Sequence, residues 1–170
     1  MASMKAICLF ILLAVSNLFA GESITAGNFV FTPEKPWVVQ DSPSHMLKGV
    51  AQYGEEGPLL KFYHFGPGQG GGVEANVTRW KKQFEGEVKV TPEKLTYDKQ
   101  EVAIVMMEGT FLDGPIMARK TAKEGYILLG AIIPHENGDV FLKMTGPKVN
   151  MVKTKDDFKK LVASAFAKEK

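Results

Sequence analysis

The chain has 170 residues, with 21 Lys and Arg against 19 Asp and Glu and a formal net charge of +2. That length suits one domain with its own core, and so even a balance, without a basic stripe interleaved with aromatics, argues against a nucleic-acid partner. The single cysteine, Cys8, lies in the first twenty residues, so a chain that loses them has no disulfide and no cysteine metal site.

Residues 1–20 read as a secretory signal peptide. A charged start through Lys5 is followed by the apolar run AICLFILLAV and a small residue, Ala20, before Gly21. That run is too short to anchor the chain in a bilayer. The expected setting is therefore periplasmic or extracellular, with no membrane span after signal removal. Residues 21–28 (GESITAGN) are small and polar and read as a flexible leader. A single α+β domain is expected over residues 29–170.

FVF at 29–31 is a short strand, and Pro33 and Pro36 then break the pattern before Trp37, which is placed to plug one end of the core. MLKGVAQY (46–53) and LLKFYHF (59–65) flank GEEGP and predict a β-hairpin. In VEANVTRWKKQF (73–84), Val73, Val77, Trp80 and Phe84 recur on one helical face. Glu74 near the start and Lys81 and Lys82 near the end suit the helix dipole, and Gly86 is placed to end the helix.

VKVT (88–91) predicts a short strand stopped by Pro92. KLTYD (94–98) and EVAIVMMEGTF (101–111) flank Lys99-Gln100 as a second hairpin. Residues 112–125 carry turn formers and charges without a period and read as a long loop. YILLGAII (126–133) and VFLKMT (140–145) bracket PHENGD, where Asn137-Gly138 is a strong hairpin signal. A final helix is expected from a capping box of Thr154 and Asp157, with Phe158, Leu161, Val162, Ala165 and Phe166 on its apolar stripe. The short turns require mostly antiparallel pairing, which gives a mainly antiparallel sheet with two helices packed on it.

Gly66 to Gly71 spells G-x-G-x-x-G between a strand and a helix, the setting of a dinucleotide fingerprint. Against that stand the surrounding hairpins, the unsuitable position of Glu93 for a ribose-binding acid, and export to a space poor in nucleotides. A P-loop is excluded, because no Lys-Ser/Thr follows. Two further readings stay open. The glycines supply positive φ and close packing, or their bare N–H groups meet an anion or a partner backbone. The candidate contact residues are Gly68, Gln69, Gly70, Gly71, Asn76 and Arg79, with the 112–125 loop as a neighbour.

Asn76-Val77-Thr78 is a glycosylation sequon inside the expected helix. His45, His64 and His135 lack the spacing of a helical metal site, and the methionines read as core filling. No catalytic residue, metal ligand or cofactor site emerges. There is no G-x-S-x-G, and the carboxylates form no pair.

The segments LLKFYHFGPGQGGGVEANVTRWKKQFEG, EGTFLDGP, GYILLGAIIP and FLKMTGPKVNM resemble a family of exported bacterial proteins of unknown function. The element order is also similar to the PsbP/Mog1-like α/β/α sandwich. The resemblance implies an exported, non-enzymatic accessory or binding domain and carries no catalytic residue over. The alternatives are a nucleotide- or anion-binding enzyme using the Gly66 to Gly71 turn, and a structural component of the envelope. The ligand or protein partner and the oligomeric state stay open.

Overall fold

The computed structural model describes residues 22–115 and 118–167. The signal peptide expected over residues 1–20 lies outside them. Strands β1 (Ile24–Ala26) and β2 (Phe29–Phe31) form a small hairpin. They are followed by β3 (Trp37–Gln40), β4 (Leu47–Tyr53), β5 (Leu59–His64), helix α1 (Gly72–Lys81), β6 (Phe84–Tyr97), β7 (Gln100–Asp113), β8 (Thr121–Ile133), β9 (Val140–Pro147) and helix α2 (Lys148–Ser164). The main sheet has the order β3-β4-β5-β9-β8-β7-β6, and every neighbouring pair in it is antiparallel.

Side-chain alternation places the sheet between two layers. Ile127, Leu129, Ala131 and Ile133 of β8 join the core under α2 and the β1–β2 hairpin, with Phe158, Leu161 and Val162 of the helix. Leu128 and Ile132 of the same strand face the other way, toward Trp80 and the valines of α1. β8 is thus buried on both faces, which is why YILLGAII reads as an unbroken apolar run.

α1 lies on the sheet through Trp80. Gly130 of β8 faces it, and a Cβ there would come within 2.2 Å of Trp80 Cζ3. Only a glycine lets the indole reach the strand backbone at this point. On the opposite face Gly49 plays the same part for β1, where a Cβ would meet Ile24 Cγ2 at 2.4 Å.

The three expected hairpins form, as does the antiparallel sheet with two helices. Several elements differ from expectation. Residues 24–26 are no loose leader, since Ile24 and Ala26 are buried and their strand pairs with β2. Pro92 does not stop a strand. β6 runs through it to Tyr97, because β6 is the edge strand and the missing N–H is not needed on its open side. Half of the expected 112–125 loop is strand, at 112–113 and 121–125, with Leu112 paired to Ala122 and Asp113 to Thr121.

α1 ends at Lys81, and Phe84 already belongs to β6, where Gly86 sits at a break in register. α2 begins six residues before Thr154, at Lys148 after Pro147. Thr154 is buried and donates to the Met151 carbonyl, and Asp157 accepts from the Tyr53 hydroxyl at 2.7 Å, so neither caps the helix.

Gly130→Ala should destabilise the fold by about 1–3 kcal/mol, the usual loss from overpacking a close contact. Urea unfolding checks this. A loss within about 0.5 kcal/mol would mean that the indole has room to move aside.

Candidate functional site

The segment joining β5 to α1 is folded onto the β8–β9 turn. A Cβ on Gly138 would lie 2.5 Å from the Gly66 carbonyl carbon, and one on Gly70 would lie 2.6 Å from Phe141 Cζ. These two glycines are packing residues. Gly66, Gly68, Gly71 and Gly72 have φ of 81°, 68°, 81° and 68°, in the left-handed region that favours glycine. Around Gly66, Gly68 and Gly72 there is open space at the Cβ position, so conformation and not crowding selects glycine there.

Asn76 closes the loop from inside. Its side chain is buried, and its Nδ2 donates to the Gly70 and Gly72 carbonyls at 2.7 Å each. Its Oδ1 accepts from Arg79 Nη1 at 2.7 Å. Of the six candidate residues, Asn76 and Gly70 are therefore buried supports, while Gly68, Gln69, Gly71 and Arg79 are exposed. Burial also withdraws Asn76 from the sequon reading, since the folded chain does not present it.

Gly71 caps α1 in the left-handed conformation and, among the described residues, no side chain caps the helix start. Glu74 stands in the first turn and offsets the helix dipole there. Beside the loop, Phe65 is 39% exposed and stacks at 6.1 Å on Tyr63. His64 and His135 both meet the Asn137 backbone at this end of the sheet.

The strand order that the dinucleotide fingerprint needs is not met. β5 and β6 run in the same direction but stand four antiparallel steps apart, with β9, β8 and β7 between them. Glu93 is taken by Lys159 of α2, at 2.5 Å.

A second constellation was not visible in the sequence. Past the end of α1, on the same side of the sheet, Lys143 of β9 stands opposite Lys61 of β5. Lys143 donates to Gln83 Oε1 at 2.5 Å and sits 5.9 Å from the Phe111 ring. Burial, with Lys61 adding to it, pushes the Lys143 ammonium down to about 8. The one sequence signal was a lysine inside the apolar run VFLKMT of a central strand. A third feature, a cleft of about 540 Å³, lies between α2 and the segment before β3. Trp37, which lines it, is buried, and its indole N–H has no hydrogen-bond partner among the described residues.

No protein-family model matches the sequence, and no curated protein matches it. Among solved structures, the fold is similar to the solution structure of PsbP (CyanoP) from Synechocystis sp. PCC 6803, with a TM-score of 0.51 at 12% identity, covering 81% of this chain and 85% of that one. The fold is PsbP-like.

Asn76→Ala should cost about 1–3 kcal/mol in urea unfolding, as one buried and one partly buried carbonyl lose their donor. Asn76→Asp should cost at least as much, because a carboxylate repels both carbonyls while keeping Arg79. Lys143 sets a pH dependence. Its folded value near 8 lies below the ordinary 10.5, so the unfolded chain binds more protons between them and stability rises with pH across that window. Above about 10 the tyrosines whose hydroxyls are pushed up, Tyr53, Tyr63 and Tyr97, act in the opposite sense. The urea midpoint should climb between about pH 8 and 9.5 in the wild type and stay flat in Lys143→Met.

Proposed function

We propose that the chain is an exported, non-enzymatic binding module that presents the rim of Gly68, Gln69, Gly71 and Arg79, with Phe65 beside it, to an extended segment of a protein partner. The observation that carries this reading is the Asn76 clamp. One buried side chain holds the loop closed from inside, so its outer backbone and the Arg79 guanidinium face solvent in a fixed arrangement. Pre-organised donors of this kind lose little entropy on binding.

The chemistry favours peptide carbonyls over a phosphate. Glu74 in the first turn of α1 already answers the helix dipole, and a second negative group would meet its carboxylate. Phe65 adds an apolar anchor next to the donors, the combination that hot spots of protein interfaces show. Export is supported by the charged, apolar and small-residue order of residues 1–20. Among the described residues no helix is long and apolar enough to cross a membrane. The PsbP-like fold adds an architecture to this reading, and the resemblance found in the sequence adds the accessory role.

Exchanging the glycines is a poor test, because Gly70→Ala collides with Phe141 and disturbs the fold itself. A photo-crosslinking residue at Gln69 tests the rim directly, with the same residue at exposed Asp156 on α2 as the control. In the native host, position 69 should yield one discrete adduct that position 156 does not, and Arg79→Ala should weaken it. Identical adduct patterns from both positions, or none from 69, would contradict the reading.

A further inference from the structure

Lys61 and Lys143 occupy directly opposed positions on β5 and β9. Like charges so placed repel each other. Neither lysine forms an ion pair among the described residues, although the Lys61 charge, after Lys123, helps hold the Asp113 carboxyl below its ordinary range. Lys143 is also flanked along its strand by the buried Leu142 and Met144, and its one side-chain partner, Gln83, is neutral. A half-buried ammonium without a counter-ion is a cost that a Met or Leu at the same place would avoid.

The surroundings show that this part of the sheet otherwise compensates its charges. Phe111 stacks on Tyr126 at 6.2 Å with the rings 8° apart, and Lys123 lies 5.4 Å over Tyr126. Lys123 is matched by Asp113 at 2.6 Å. The row thus runs from a paired lysine, across two aromatic rings, to an unpaired one. A cleft of about 240 Å³ opens past the Tyr126 end of this row, lined by Phe111, Tyr126, Lys123 and Thr145 together with the carboxylates of Glu56 and Asp113; neither Lys61 nor Lys143 lines it. Thr145 lies two residues beyond Lys143 on the same face of β9.

We propose that Lys61 and Lys143 are the receptor for a small oxyanion, a carboxylate or a phosphate, bound at the edge of the Phe111–Tyr126 shelf. The two ammonium groups supply the charge-assisted hydrogen bonds, and the bound anion relieves their repulsion. Gln83, directly after α1, holds the Lys143 amine in place from above. The site is separate from the glycine rim. Gly70 packs on Phe141, two residues before Lys143, whereas the lysines lie past the last turn of the helix.

The test is a calorimetric and NMR titration of the folded chain with inorganic phosphate and with benzoate, against a chloride control. Wild type should show saturable binding of at least one of them, with shifts confined to Lys61, Lys143 and the Phe111 ring. Tighter benzoate identifies an organic carboxylate that uses the aromatic shelf, and tighter phosphate identifies a phosphate group. Lys61→Gln, at an exposed position, should weaken binding at least ~10-fold, the loss of one charge-assisted contact. Lys143→Met should abolish it while melting no lower than wild type in the absence of anion. A linear, unsaturable response, equal affinity in Lys61→Gln, or an Lys143→Met variant that melts below wild type would each overturn the proposal.

Discussion

The contact of Trp80 with Gly130 is what makes two helical layers out of one. An indole is the largest apolar side chain available, and α1 is too short to hold its place by helix propensity alone. Seating the ring directly on the backbone of a strand buried on both faces ties α1 to the most constrained part of the sheet. Val73 and Val77 then extend the same contact face toward the helix start. Because α1 is fixed, Asn76 on its inner side reaches the Gly70 and Gly72 carbonyls, and the glycine loop takes one shape.

Topology decides what that loop is for. The chain leaves β5, crosses the face of the sheet through α1 and re-enters at the far edge as β6, with three strands later filled in between. A loop in this setting tops a continuous antiparallel sheet. It has no crevice between parallel strand ends in which a pyrophosphate lies across two units. The same crossing leaves the lower part of the sheet face uncovered beyond Lys81. There Lys61 meets solvent, with Lys143 and Tyr126 half-buried beside the buried Phe111. The proposed glycine rim and the proposed lysine pair thus lie at different ends of α1.

Much of the fold was legible where a local rule acts alone. The valine and tryptophan spacing of α1, the Asn137-Gly138 turn and the double-sided apolar run of β8 each follow from period or backbone preference. The misreadings have a common cause in tertiary context. Pro92 is harmless only because β6 is an edge, and Ile24 packs onto the sheet because Gly49 leaves room beneath it. Thr154 and Asp157 satisfy a capping pattern but lie in mid-helix, where one bonds to its own helix and the other to Tyr53. In the candidate site, Asn76 and Arg79 were both picked out, but the bond between them was not. Nor was it readable which of the two turns inward, since that depends on the loop wrapping over the helix start. The lysine pair comes from strands distant in sequence, and only their register brings them together.

The Trp80 contact holds α1 and, through it, the loop. Amide hydrogen exchange in Trp80→Ala measures this most directly. Amides of α1 and residues 66–72 should lose protection while those of β4, β5, β8 and β9 keep most of theirs. Protection of α1 equal to wild type, or a uniform loss across the sheet, would contradict it.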